Sequence, residues 1–202
     1  MEITQIERIS KKKVRICIDG EYAFPLYHND VIRLQLEEGM EVPEKIYKEI
    51  CEKVILCRAK QKALALLKTQ DRTRVELRRK LKDAGYPEEI INRTIAYVDS
   101  YGYLDDVRYA SLYIRDRKHR KSKLVLKMEL NRKGISKDIL DPIFETEYQE
   151  EGSEDPEIIA IKKAIAKKNV DTEQLTWEEK QKLIASLYRK GFAIDKINRI
   201  LS

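Results

Sequence analysis

The chain is poor in the residues from which active sites and metal centres are built. Only two histidines occur in 202 residues. His28 follows a predicted strand and His119 sits in a basic run, so neither is paired with a carboxylate in sequence. The three cysteines, Cys17, Cys51 and Cys57, show no CxxC spacing. Cys51 and Cys57 are six residues apart, which places them on different faces of a helix. A sparse, odd set of this kind reads as reduced thiols in a reducing compartment, not as a zinc site. There is no Gly-rich phosphate loop, no nucleophile elbow and no HExxH. An enzyme would have no residues to work with, and no metal or cofactor is expected. No apolar run approaches the ~18 residues that cross a bilayer, and the N-terminus carries no signal-peptide pattern. A cytoplasmic location away from membranes is the expectation. Seven glycines and five prolines are few for this length, which suits a helical protein.

Charge, by contrast, is abundant. Asp, Glu, Lys and Arg make up 38% of the chain, against ~25% in a typical globular protein. The net charge of +6 is unevenly spread. Residues 58–82 hold ten Lys/Arg and two acids, and residues 113–134 hold nine and two. These blocks carry +8 and +7, which leaves −9 on the remainder. Solvated helix faces would account for one such block. Two at matching places point to a surface for a polyanion.

The organising stretch is TRVELRRKLKDAGYPEEIINRTI, residues 73–95. Thr73 and Glu76 have capping-box spacing. Leu77, Leu81 and Ala84 share one helical face. Gly85 can take the left-handed conformation that ends a helix. Pro87 suits the first position of a second helix, with Glu88 and Glu89 in its first turn and Ile91, Ile95 and Val98 as its apolar face. The pattern returns around Gly134, with Leu126, Leu130, Ile135, Leu140 and Phe144. It returns again around Gly191, with Leu183, Leu187, Phe192, Ile197 and Leu201. The glycines are 49 and 57 residues apart, too far for a two-helix repeat of about 34 residues. A third helix fits before each pair, over 58–68, 105–118 and 156–168. The expected fold is mainly α: tandem three-helix repeats forming an elongated solenoid, with a small N-terminal β-hairpin or sheet. The expected domains are 1–57, 58–102, 103–150 and 151–202.

In chain order, Val14, Ile16 and Ile18 alternate before Asp19-Gly20, and Tyr22, Phe24 and Leu26 alternate after it. That predicts a hairpin with a two-residue turn, with 3–9 as a third strand. Asn29 or Asp30 is expected to cap a short helix ending near Gly39. Pro43 opens a helix carrying Ile46, Ile50 and Val54. One helix of about 25 residues or two helices broken near Cys57 both fit the pattern; the crowding of apolar residues at 54–57 favours a change of direction there. Asp105 or Asp106 caps a helix with Val107, Ala110 and Ile114 on its core face and Tyr109 and Tyr113 as packing residues. Ser122 stands twelve residues before Gly134, as Thr73 stands before Gly85. Pro142 is expected to shorten or kink the following helix. Residues 145–157 hold seven acids and no base, which reads as a flexible acidic connection. Thr176 and Glu179 form a second capping box, with Trp177 stapling that helix end against Leu175 or the core.

Three segments, RVELRRKLKDAGY, GYLDDVRYASLYIRDR and KMELNRKGI, closely resemble the bacterial RecX regulatory proteins. The likeness is specific from about Ala63 to Phe144 and weaker towards the C-terminus. At Lys121-Ser122 this chain departs from a Gly-Pro common in relatives; serine still serves as a cap. The resemblance implies tandem three-helix repeats that bind the RecA recombinase filament, usually inhibiting it, and touch DNA. A monomer that modulates the filament in recombination and repair is one reading. The other is a DNA-binding regulator whose repeats act as helix-turn-helix readers, which would show sequence preference. Candidate filament- or nucleic-acid-binding residues are Arg72, Arg74, Arg78, Arg79, Lys82, Arg115, Arg117, Lys118, Arg120, Lys121, Lys123 and Lys127. DNA binding is expected to be weak and non-specific, to single or double strands.

Overall fold

The computed structural model describes residues 1–149, 154–168, 170–172 and 174–201. It is mainly helical and divides into two compact units, Met1–Asp105 and Asp106–Ser202.

The first unit opens with a three-stranded antiparallel sheet in the order β1 (Ile3–Arg8), β2 (Lys13–Ile18), β3 (Glu21–Tyr27). Asp19 and Gly20 both have positive φ, 50° and 83°, as the tight turn between β2 and β3 requires. Val14, Ile16 and Ile18 are buried together with Phe24 and Leu26. Tyr22 breaks the expected alternation. The register shifts between Ile16 and Cys17, and this irregularity leaves Tyr22 44% exposed. Its hydroxyl donates instead to the carbonyl of Gly85.

The short helix α1 (His28–Arg33) is not capped by Asn29 or Asp30. Its N-cap is Tyr27, and Gln35 turns the chain with φ 52°. Asp30 is buried within the helix and accepts from Arg33 and Arg58. The helix opened by Pro43 is not broken at Cys57. α2 (Glu44–Ile50) passes through a π-helical stretch, Cys51–Ile55, into α3 (Leu56–Thr69) without interruption. The wider turn rotates the apolar stripe, so Val54, Ile55 and Leu56 are all buried. Ile46 falls off that stripe and is exposed.

Repeat 1 is α3, α4 (Arg74–Asp83) and α5 (Glu88–Ser100). The Thr73–Glu76 capping box is formed, and Pro87 sits at the N-cap of α5, one position before the helix. The sheet and this repeat share one continuous core, from Ile3 to Leu104.

The second unit holds repeat 2, α6 (Asp106–Arg117), α7 (Lys123–Arg132) and α8 (Lys137–Tyr148), and repeat 3, α9 (Pro156–Ala166), α10 (Trp177–Arg189) and α11 (Ile194–Leu201). Each has its own apolar cluster. Two expectations fail here, and the shortening expected at Pro142 does not occur. Val107 is 54% exposed, because the buried face of α6 begins at Ala110. Trp177 is 75% exposed; the Thr176–Glu179 box closes the helix start without it, and Leu175 packs on the core alone. α8 is not cut short at Pro142. Leu140, Ile143 and Phe144 are buried on either side of the proline, and this packing carries the helix past one missing hydrogen bond.

The acidic stretch is also more ordered than expected at both ends. Residues 150–153 lie outside the described residues. Glu147 belongs to the last turn of α8 and Glu157 to the first turn of α9, and both are buried. Glu147 accepts from Arg115 Nε at 2.8 Å and from the Ser111 hydroxyl. Lys118 Nζ donates to its backbone carbonyl at 2.7 Å. Glu157 accepts from the Lys123 amide at the start of α7 (3.2 Å) and from Lys196 Nζ on α11 (2.9 Å), so it joins repeats 2 and 3.

The three glycine stops have one geometry. Gly85, Gly134 and Gly191 have φ of 90°, 88° and 80°. The following amides of Tyr86, Ile135 and Phe192 donate back to the carbonyls of Leu81, Leu130 and Leu187. All six side chains are buried, as in a Schellman closure with its hydrophobic contact.

Leu81→Ala, Leu130→Ala and Leu187→Ala are each expected to cost ~2–5 kcal/mol in denaturant unfolding, as buried Leu→Ala changes do; three values within ~0.5 kcal/mol of wild type would remove the repeat argument. A second expectation concerns pH. Burial works to raise the Glu147 carboxyl, but the hydrogen bonds from Arg115 and Ser111 and the charges of Arg115 and Lys118 outweigh it and hold it below the usual carboxylate range. A depressed folded-state value gives stability that is present above the unfolded value, about 4.3, and is lost as pH falls through the folded one. Glu147→Gln should therefore lower the melting temperature at neutral pH and flatten its fall below about pH 4. An unchanged acid limb would contradict this role.

Candidate functional site

The middle helix of each repeat presents its cations in two ways. Some are tied to the third helix of the same repeat. Arg78, seven residues before Gly85, reaches Asn92, seven after it, and also Glu88. Lys127, seven before Gly134, reaches Asp141, seven after it, at 2.6 Å. The same lock thus recurs in repeats 1 and 2. In repeat 3 the position is Ile184, which packs on the core instead. Arg74 pairs with Asp99 of α5 at 2.7 Å, and this partner holds the Asp99 carboxyl below its usual range.

Other cations are left over. Arg79, Lys80 and Lys82 on the outer face of α4 are exposed and have no ion pair among the described residues. Arg72, just before α4, is half-buried, with its Nε enclosed and without a hydrogen-bond partner among the described residues. From the rest of the first basic block, Arg58 is committed to Asp30 and Lys60 lies over the Tyr97 ring at 4.1 Å.

Most cations of the second block have partners within the fold. Arg115 binds Glu147. Lys118 is only 3% exposed, so its ammonium, held by the Glu147 carbonyl, is withdrawn from any contact face. Arg117 pairs with Asp116 at 2.8 Å and lies 4.1 Å from the centre of the Tyr113 ring. Arg120 also takes Asp116, at 3.0 Å. Lys121 binds Glu129, which accepts from Tyr113 as well. Lys123 lies over Tyr148 at 5.2 Å and Phe144 at 5.7 Å. Tyr109 and Tyr113 stack on each other, ring centres 6.1 Å apart, and pack against the core. The net charge of this block therefore overstates the positive surface that a partner meets.

Sequence reasoning missed Glu147, Glu157 and Asp30 as anchors. For Glu147 a signal existed: it continues the Leu140 and Phe144 stripe at helical spacing. No group of three or more His, Cys, Asp or Glu among the described residues is placed to hold a metal ion. No helix among them is long and apolar enough to cross a membrane. Burial pushes the Cys51 thiol up, away from nucleophilic character.

Comparison with known proteins matches this architecture repeat by repeat. Profiles described as the first, second and third three-helix domains of RecX match residues 59–97, 105–141 and 157–201. The "Regulatory protein RecX" of Clostridium acetobutylicum is 32% identical over 98% of this chain and 94% of its own length. That of Caldanaerobacter subterraneus subsp. tengcongensis is 30% identical over 100% and 99%. A crystal structure of regulatory protein RecX superposes with a TM-score of 0.60 at 24% identity, covering 99% of this chain and 98% of that one. A crystal structure of RecX from Lactobacillus salivarius gives 0.58 at 26% identity, covering 72% and 96%. With three glycine-stopped repeats matched by three successive family domains, the chain belongs to the RecX family of regulatory proteins.

Proposed function

We propose that the chain is a non-enzymatic modulator that binds the RecA recombinase filament and inhibits it in recombination and DNA repair. The reading rests on the family, and on one observation that selects a face. Arg79, Lys80 and Lys82 stand together, exposed and without ion pairs among the described residues, on the middle helix of repeat 1. Such a filament is a repeating acidic assembly of protein and DNA phosphate. A cationic helix gains affinity and encounter rate against it. Tandem repeats on one chain add the benefit of linked contacts, even where each is weak. Weak, non-specific DNA binding by the same face completes the reading, with the protein acting as a monomer in the cytoplasm.

The triple change Arg79→Glu, Lys80→Glu and Lys82→Glu removes only unpaired cations. It is expected to keep the circular dichroism spectrum and to stay within ~0.5 kcal/mol of wild-type stability per site, as exposed substitutions do. It should raise the concentration needed to inhibit recombinase ATPase on single-stranded DNA by at least about tenfold, equivalent to ~1.4 kcal/mol. Inhibition at the wild-type concentration would place the contact elsewhere. Arg74→Glu with Arg78→Glu is a different experiment. It sets new carboxylates against Asp99 and Glu88 and should destabilise repeat 1 by about 1 kcal/mol or more, so loss of inhibition by that variant would not map a contact.

DNA binding by the isolated protein should show log K falling with log salt at a slope of about −0.7Z on a single strand. The triple variant should reduce that slope by up to about three phosphate contacts. Salt-indifferent binding would remove the DNA part of the proposal. A marked preference for one duplex sequence would favour the helix-turn-helix reader.

A further inference from the structure

Repeats 2 and 3 of the second unit meet along a groove that the function above does not use. The Ser122 hydroxyl donates to the Lys190 carbonyl at 2.9 Å, and a cavity opens on each side of this contact. The first, of about 470 Å³, has Val125, Ala160, Ala164 and Phe192 among its walls. Arg120, Lys121, Lys163, Lys167 and Lys190 surround it, with no acidic residue among the described lining. Arg120 and Lys121 are partly neutralised by Asp116 and Glu129. Lys163, Lys167 and Lys190 are exposed and have no ion pair among the described residues. The second cavity, of about 690 Å³, shares Val125 and Phe192 with the first, so the two form one groove. Its walls carry Leu124, Met128 and Tyr188, exposed by 55%, 46% and 63%. Its one described acid, Glu157, is already held by Lys196 and the Lys123 amide.

The chemistry of the groove is mixed in a specific way. Apolar walls lie between cations, and three of those cations are unneutralised. A phosphate backbone gains nothing from the apolar walls. Stacked bases need exposed ring faces; Phe192 is only 3% exposed, and Tyr188 offers a single ring at the edge of the second cavity. An apolar side chain seated among small residues, with carboxylates meeting the rim, satisfies both parts; this is the anatomy of a peptide anchor. Lys163 on α9 and Lys167, which caps the end of α9, stand one turn apart, the spacing at which a helical peptide repeats its acids. Leu124 and Met128 stand one turn apart on α7 in the same way, and a methionine adapts to varied apolar partners. We propose that the groove between repeats 2 and 3 docks an acidic amphipathic segment of a partner protein, apolar side chains inward and carboxylates on Lys163, Lys167 and Lys190. This does not rest on the recombinase reading.

The test uses the full chain and a fluorescein-labelled synthetic peptide with Leu and Phe at helical spacing and Asp or Glu elsewhere, followed by anisotropy. A control peptide has the Leu and Phe replaced by Ser. Saturable binding of the first peptide is expected. It should weaken at least about tenfold in Lys163→Gln/Lys167→Gln, in Leu124→Ser/Met128→Ser and for the control peptide. All four substituted side chains are exposed, and circular dichroism checks that both variants fold. Absence of binding, an unchanged affinity in either variant, or equal binding of the control peptide overturns the proposal. So does displacement of the peptide by oligo-dT together with an equal loss of oligo-dT affinity in the lysine variant, which would make the groove a nucleic-acid surface.

Discussion

Everything in this fold hangs on a backbone closure repeated three times. At each glycine stop the chain enters the left-handed region, where only glycine is free of a Cβ penalty. The next amide then turns back to the carbonyl of a buried leucine five residues earlier. The helix end is thereby satisfied inside the protein, where an unpaired carbonyl would be costly. The residue that donates this bond is itself apolar and buried, so one turn both ends the middle helix and aims the third helix across the core. At Gly85 and Gly191 the missing Cβ also makes room. A Cβ on Gly85 would stand 2.6 Å from the Tyr22 hydroxyl, and one on Gly191 would stand 2.8 Å from the Ser122 hydroxyl. The first contact buttresses the N-terminal sheet on repeat 1. The second joins repeats 2 and 3.

That closure was legible in the sequence because it is local. A glycine, a leucine four residues before it and an apolar residue after it form a pattern that spacing alone reveals. The hairpin turn and the capping boxes were legible for the same reason. What could not be read was set at a distance. The π-helical passage at Cys51–Ile55 resolves a local crowding of apolar residues in a way that depends on the surface receiving them. Trp177 was expected to pack as an apolar residue, yet it is 75% exposed. Pro142 was read from its missing amide, yet the buried faces on both sides of it keep the helix whole.

Charge was the least legible property. The two basic blocks have nearly equal net charge in sequence, but their fates differ. Three cations of the second block, Arg115, Lys118 and Lys127, meet partners that sequence order hides, Glu147 on α8 and Asp141 across the repeat. One of its lysines is buried outright. The first block keeps a cluster of cations without ion pairs among the described residues on α4, apart from Arg74 and Arg78, which contact α5. Net charge along the chain is thus a poor guide to the potential a partner meets, which is set by the cations left after internal pairing. The candidate face narrows from twelve residues to a few for that reason.

The acidic stretch before repeat 3 completes this argument. Read as a linker, it would separate repeats 2 and 3. Its last residues do the opposite. Asp155 caps α9 and pairs with Lys196, and Glu157 holds both that lysine and the start of α7. A carboxylate at a helix start is favoured by the helix dipole and by the free amides there. Ser122 stands beside it and serves two helices through one hydroxyl: it accepts from the Val125 amide, capping α7, and donates to the carbonyl of Lys190 at the end of α10. The start of one repeat and the stop of the next are therefore fastened at a single point. The groove on either side of that point is bounded by residues from both repeats, so its shape and its charge exist only because the two are joined there.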